Sequence, residues 1–62
     1  MTRMEYERKK RGWTQTDLAY HAKVSVPDIS KIERGWLKPF KGYAKRLSEV
    51  LGIPEDELTK EV

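Results

Sequence analysis

Residues 15–35 read QTDLAYHAKVSVPDISKIERG, from Gln15 to Gly35, and this stretch decides the fold. It divides into two short helices joined by a tight turn. Thr14 can cap the first, with Asp17 at the third helical position, and Ser25 can cap the second, with Asp28 at the third. In each case the hydroxyl accepts a first-turn N–H, and the carboxylate reaches back or favours the positive helix end. Pro27 falls in the first turn of the second helix, where a missing N–H costs little. Gly35 suits the residue just past a helix end. Leu18, Ala19, Ala22, Ile29 and Ile32 lie at helical spacing, with Val24 in the turn, so the two helices can close on each other.

The stretch resembles the helix-turn-helix of the Cro/repressor-like (XRE) DNA-binding proteins. The matching residues are Gln15, the Leu18-Ala19 pair, Ala22, Val24, Ile29, Ile32 and Glu33-Arg34-Gly35. The likeness continues through Arg8 and Gly12-Trp13 upstream and through Pro39, Leu47 and Leu51-Gly52 downstream. It covers nearly the whole chain. It implies an all-α, compact five-helix, lambda-repressor-like domain spanning residues 1–62, with the helix-turn-helix core at 15–35.

The flanks fit that expectation. Thr2 to Arg11 reads as a first helix stopped by Gly12. The family often has an apolar residue where this chain has Glu7. Trp13 is expected in the core, and Tyr20 and His21 at the surface or rim. Lys23 stands where the family usually has glycine, a turn position needing a left-handed backbone. Beyond Gly35, Pro39 marks a loop and a fourth helix is expected over Phe40 to Leu51. Its apolar face is Phe40, Tyr43, Ala44, Leu47, Val50 and Leu51. Gly52 ends it, Ile53-Pro54 turns the chain, and Glu55 to Thr59 reads as a short fifth helix anchored by Leu58.

Composition narrows the function. A chain of 62 residues makes one domain, with a core so small that tight helix packing or a second copy matters. With no cysteine and one histidine, His21, no disulfide, thiolate site or histidine pair for a metal is available. Ser25, Ser30 and Ser48 have only His21 as a base, so no catalytic set and no cofactor are expected. The charge is uneven. Met1 to Arg46 carries 12 basic and 5 acidic residues, whereas Leu47 to Val62 carries 1 basic and 5 acidic. A basic body with an acidic end suits an anionic partner on one side. No apolar run approaches the roughly 20 residues that span a bilayer. Nor does the charged N-terminus read as a signal peptide, so a cytoplasmic, nucleoid-associated protein is expected, without a membrane role.

The expected partner is double-stranded DNA, read in the major groove by the end of the helix that Ser25 caps. Its outward residues are Ser25, Val26, Pro27, Ser30 and Lys31, with Arg34 a turn further along. By resemblance, Val26, Pro27 and Lys31 reach base edges. Val26 and Pro27 can offer only apolar contact, suited to a thymine methyl, and Lys31 can donate to guanine O6 and N7. Phosphate contacts are expected from Gln15, Ser25, Ser30, Arg34, Lys38 and Arg8, with Trp36 and Lys41 near the backbone. The resemblance also implies a pair between Arg8 and Glu33. Asp28 is taken as a cap first and a reader of cytosine second. A homodimer on a pseudo-palindromic operator is the expected working form, with Trp36, Leu37, Ile53 and Leu58 as candidate interface residues. The alternative is a protein-interaction module, such as the antitoxin or adaptor partner of another protein. With no room for a sensor domain, regulation is expected to come from abundance, association or a partner.

Overall fold

The computed structural model describes all 62 residues. Four α-helices follow in order: α1 (Arg3–Lys10), α2 (Gln15–Ala22), α3 (Val26–Glu33) and α4 (Lys41–Leu51). A single 3-10 turn, Glu55–Glu57, stands in place of the expected fifth α-helix. Pro54 fixes an extended backbone before it, and three residues cannot close an α-helical turn of their own. The chain then runs back beside the N-terminus. Arg3 N donates to Lys60 O, Met4 N to Leu58 O and Val62 N to Met1 O, and Thr2 and Glu61 form an antiparallel bridge.

Each helix begins and ends for local reasons. Thr2, Thr14 and Ser25 cap α1, α2 and α3, their hydroxyls accepting from the N–H groups of Glu5, Asp17 and Asp28. Phe40 lies outside α4, at its cap position, and has no side-chain oxygen with which to cap it. Lys23 ends α2 at φ 56° and ψ 48°, the left-handed conformation in which its Cβ is strained. Arg46 braces that end, donating Nε to Ala22 O at 3.0 Å and a terminal nitrogen to Lys23 O at 3.3 Å. Gly35, at φ 80°, turns the chain out of α3, and Trp36 N closes the end by donating to Lys31 O.

The core collects one stripe from each helix. Met4, Leu18, Ile29, Ile32, Leu47, Leu51 and Leu58 are fully buried, with Ala19, Ala22, Val24, Ala44 and Ile53 around them. Ile53 and Leu58 are therefore spent inside the monomer, a correction to their expected place on a dimer surface. The fold-back of the C-terminal segment onto α1 and α4 covers them. Trp13 is half-buried at the core margin, stacked on His21 with ring centroids 4.4 Å apart. Glu7 is also buried. It accepts from Arg3 at 2.9 Å, from Arg11 at 2.9 Å, and pairs with Lys10 at 3.1 Å. Arg11 in turn donates to Leu51 O, which ties α1 to the end of α4. A carboxylate with three cationic partners thus takes the place of an apolar side chain.

Candidate nucleic-acid interface

Helix α3 has two faces. Ile29, Ile32 and Glu33 point inward, while Val26, Pro27, Lys31 and Arg34 are exposed. Pro27, Lys31 and Arg34 follow at spacings of four and three, so they line one side of the helix. Of the expected base-reading residues, Pro27 and Lys31 share that row, and Val26 is exposed at its N-terminal edge. Ser25 opens it and is exposed, and Ser30 is half-buried beside it.

Behind that surface sits a buried polar knot. Arg8 donates Nε to Glu33 Oε2 at 2.7 Å and a terminal nitrogen to Glu33 Oε1 at 3.1 Å. Its remaining terminal nitrogen donates to Trp13 O at 2.8 Å. Both partners are nearly excluded from water, with side-chain exposures of 9% and 4%. The two-pronged geometry fixes α1 against the end of α3. Gln15 joins from the start of α2, donating to Glu33 Oε1 at 3.0 Å. The pair between Arg8 and Glu33 is present as expected, and three of the five N–H donors of Arg8 are used within the protein. Gln15 is half-buried, and its amide is anchored on Glu33 rather than free at the helix start.

The cations of the chain divide sharply. Arg3, Arg8, Lys9, Lys10 and Arg11 each lie within 4.0 Å of a carboxylate, and so does Lys60. Lys23, Lys31, Arg34, Lys38, Lys41, Lys45 and Arg46 form no ion pair. These seven run from the turn before α3 into α4. The two acids in the same span are held by other groups, Glu33 in the knot and Asp28 by the hydroxyl of Tyr43 at 2.9 Å. The spacing reads Asp28 as a cap, but its carboxylate takes no bond from the Ser25 N–H and accepts from α4 instead, staying beside the Ser25 hydroxyl. The Tyr43 hydroxyl, with Ser25 second, holds the Asp28 carboxyl below the usual range.

Aromatic side chains border this cationic span. Trp36 is 72% exposed, with the Arg34 guanidinium 5.1 Å from its ring. Phe40 is exposed and stacks on Tyr43 at 4.1 Å, with Arg46 5.5 Å from the Tyr43 ring. Leu37 is half-buried against the core. A cleft of about 550 Å³ between the loop after α3 and the 3-10 turn is lined by Lys38, Pro39, Lys41, Ala44, Glu55, Asp56 and Thr59. It holds charges of both signs and none of the expected base-reading residues.

Two features of the structure go beyond what the sequence predicts. The bond between Tyr43 and Asp28 spans 15 positions and has no spacing signal. The Glu7 cluster has one, since Arg3, Lys10 and Arg11 stand four, three and four positions away.

The capped α2, left-handed turn and two-faced α3 define a helix-turn-helix DNA-binding fold. The family model described as Helix-turn-helix matches residues 4–58. The chain belongs to this XRE-type family of DNA-binding transcription regulators. No curated protein matches it closely enough to count as a relative. No helix is long and apolar enough to cross a membrane.

Proposed function

We propose that this protein binds duplex DNA sequence-specifically, with the N-terminal half of α3 in the major groove, and acts as a repressor-type regulator. The observation that carries the reading is the run of seven cations without carboxylate partners around Val26, Pro27 and Lys31. Cations already paired within a protein have little to gain from a phosphate. Unpaired ones release DNA counterions on binding and make it salt-dependent. Ser25, Ser30, Arg34 and Lys38 contact phosphates, and Lys31 supplies the one direct hydrogen-bonding readout, worth roughly 1–3 kcal/mol. Val26 and Pro27 pack on thymine methyls.

One copy makes few contacts, so two copies bind a pseudo-palindromic operator with half-sites about one helical turn apart. With Ile53 and Leu58 buried, exposed Trp36 and the edge of Leu37 are the candidates left for that contact. The exposures of Trp36 and Phe40 favour one second reading, a protein-interaction module with an apolar partner surface.

Selection from a pool of random duplexes at two salt concentrations separates the two. Enrichment of a pseudo-palindrome with guanine and thymine in each half, lost steeply with salt, is the expected result. Weak, salt-insensitive retention without an enriched site contradicts DNA reading and favours the protein partner. Sedimentation on the enriched duplex then checks for two copies, and a single bound copy removes the dimer.

A further inference from the structure

Helices α2 and α3 begin with the same spacing, a hydroxyl residue followed three positions later by aspartate. In α2 the two side chains close a reciprocal box. Thr14 accepts from Asp17 N at 3.1 Å, and Asp17 accepts from Thr14 N at 2.8 Å. In α3 only the first half forms. Ser25 accepts from Asp28 N at 3.3 Å, while the Asp28 carboxylate accepts instead from the Tyr43 hydroxyl at 2.9 Å. The Tyr43 ring is contacted by Phe40 at 4.1 Å and by Arg46 at 5.5 Å. Arg46 is itself tied to the carbonyls that end α2. No cation lies within 4.0 Å of Asp28, so its charge is not offset by an ion pair.

We infer that Tyr43 is a positioning residue for DNA binding, which holds the Asp28 carboxylate on the α4 side of the first turn of α3 and away from the Ser25 N–H. The role rests on the DNA reading above. Without the Tyr43 hydroxyl, Asp28 turns to the Ser25 N–H, as Asp17 turns to that of Thr14. That move brings the charge of Asp28 closer to the tip of α3 that approaches the DNA. Phosphates are repelled there, and the helix dipole that would attract them is neutralised.

The test compares wild type, Tyr43→Phe, Asp28→Asn and the double variant on the duplex that wild type enriches. Tyr43→Phe is expected to bind about tenfold more weakly, because an existing charge is displaced toward the phosphates, a fraction of a full unit-charge interaction. Asp28→Asn is expected within about twofold of wild type, and the double variant to recover to that level. A purely structural tyrosine gives no such rescue. Wild-type affinity in Tyr43→Phe, or a double variant as weak as Tyr43→Phe, overturns the role of Tyr43 alone. If wild type binds no duplex, the DNA reading fails and the role of Tyr43 falls with it.

Discussion

The segment Arg3–Arg11 and the span Lys23–Arg46 are both rich in cations, and they use them in opposite ways. In the first, all five cations are paired with Glu5, Glu7 or Glu33. In the second, seven cations have no carboxylate partner, and its two acids are drawn inward or aside. The run Arg8-Lys9-Lys10-Arg11 is the densest basic patch of the chain, yet Arg8 and Arg11 tie α1 to Glu33 and to Leu51 O, and Lys9 and Lys10 pair within α1 itself. The sparser charges around α3 are the ones available to an anionic partner. In the proposed reading, the DNA-binding face is marked by cations without carboxylate partners rather than by the densest charge.

The largest expected effect tests the structural half of that contrast. Arg8→Ala leaves the Glu33 carboxylate buried without its cation, which costs about 3–5 kcal/mol. Against a total stability of about 5–15 kcal/mol for such domains, that variant is expected to be largely unfolded or close to it. Urea denaturation followed by circular dichroism reads the loss. A shift under about 1 kcal/mol would mean the knot is not what fixes α1 to α3.

Next comes the binding half. Lys31→Ala is expected to weaken operator binding by roughly 1–3 kcal/mol and to relax the preference for guanine at one position per half-site. Its melting temperature should stay near wild type, because Lys31 is exposed and forms no ion pair. Equal affinity for guanine and substituted sites in wild type would remove Lys31 as a reader.

Acid titration sharpens the same comparison. Hydrogen bonds from Arg11, then Arg3, hold the Glu7 carboxyl down at about 2, from an ordinary value of 4.5. A carboxyl depressed in the folded state adds stability above its unfolded value and loses it as pH falls through the folded one. Glu7 therefore stabilises the fold fully above about pH 5, and that contribution disappears between about pH 4.5 and pH 2. Glu7→Gln should lower stability at pH 7 and flatten the decline across that window. An unchanged acid limb in the variant would contradict the Glu7 cluster.

The smallest effect is at the turn. Lys23 holds a positive φ that glycine adopts without strain, so Lys23→Gly is expected to stabilise the fold by up to about 1 kcal/mol. A fall in melting temperature would show that the turn gains more from the lysine than it loses in strain.

Much of the fold is legible in the sequence because it is written in local chemistry. Thr14, Ser25 and Gly35 set helix ends through bonds to their own neighbours, and the apolar spacing of Leu18, Ala22, Ile29 and Ile32 gives the packing face. The four helices and the exposed row Pro27, Lys31 and Arg34 follow from that. What stays hidden depends on where distant segments land. Ile53 and Leu58 stand as interface candidates in the sequence because their burial depends on the fold-back onto α1 and α4. Phe40 reads as helical, but α4 starts one residue later. Asp28 reads as a cap because nothing in its own turn announces Tyr43. The bond from Arg8 to the Trp13 carbonyl is hidden too, because a backbone acceptor carries no sequence signal.

The most direct test of the contrast is the salt dependence of duplex binding in three chains. These are wild type, a variant with Lys31, Lys38 and Lys41 changed to Gln, and one with Lys9 and Lys10 changed to Gln. Removing a cation that neutralises a phosphate lowers the slope of log affinity against log salt by about one. The expected result is a slope reduced by about two to three for each bound copy in the first variant and a wild-type slope in the second. A reduced slope in the Lys9 and Lys10 variant, with the other unchanged, would contradict the division between paired and available cations.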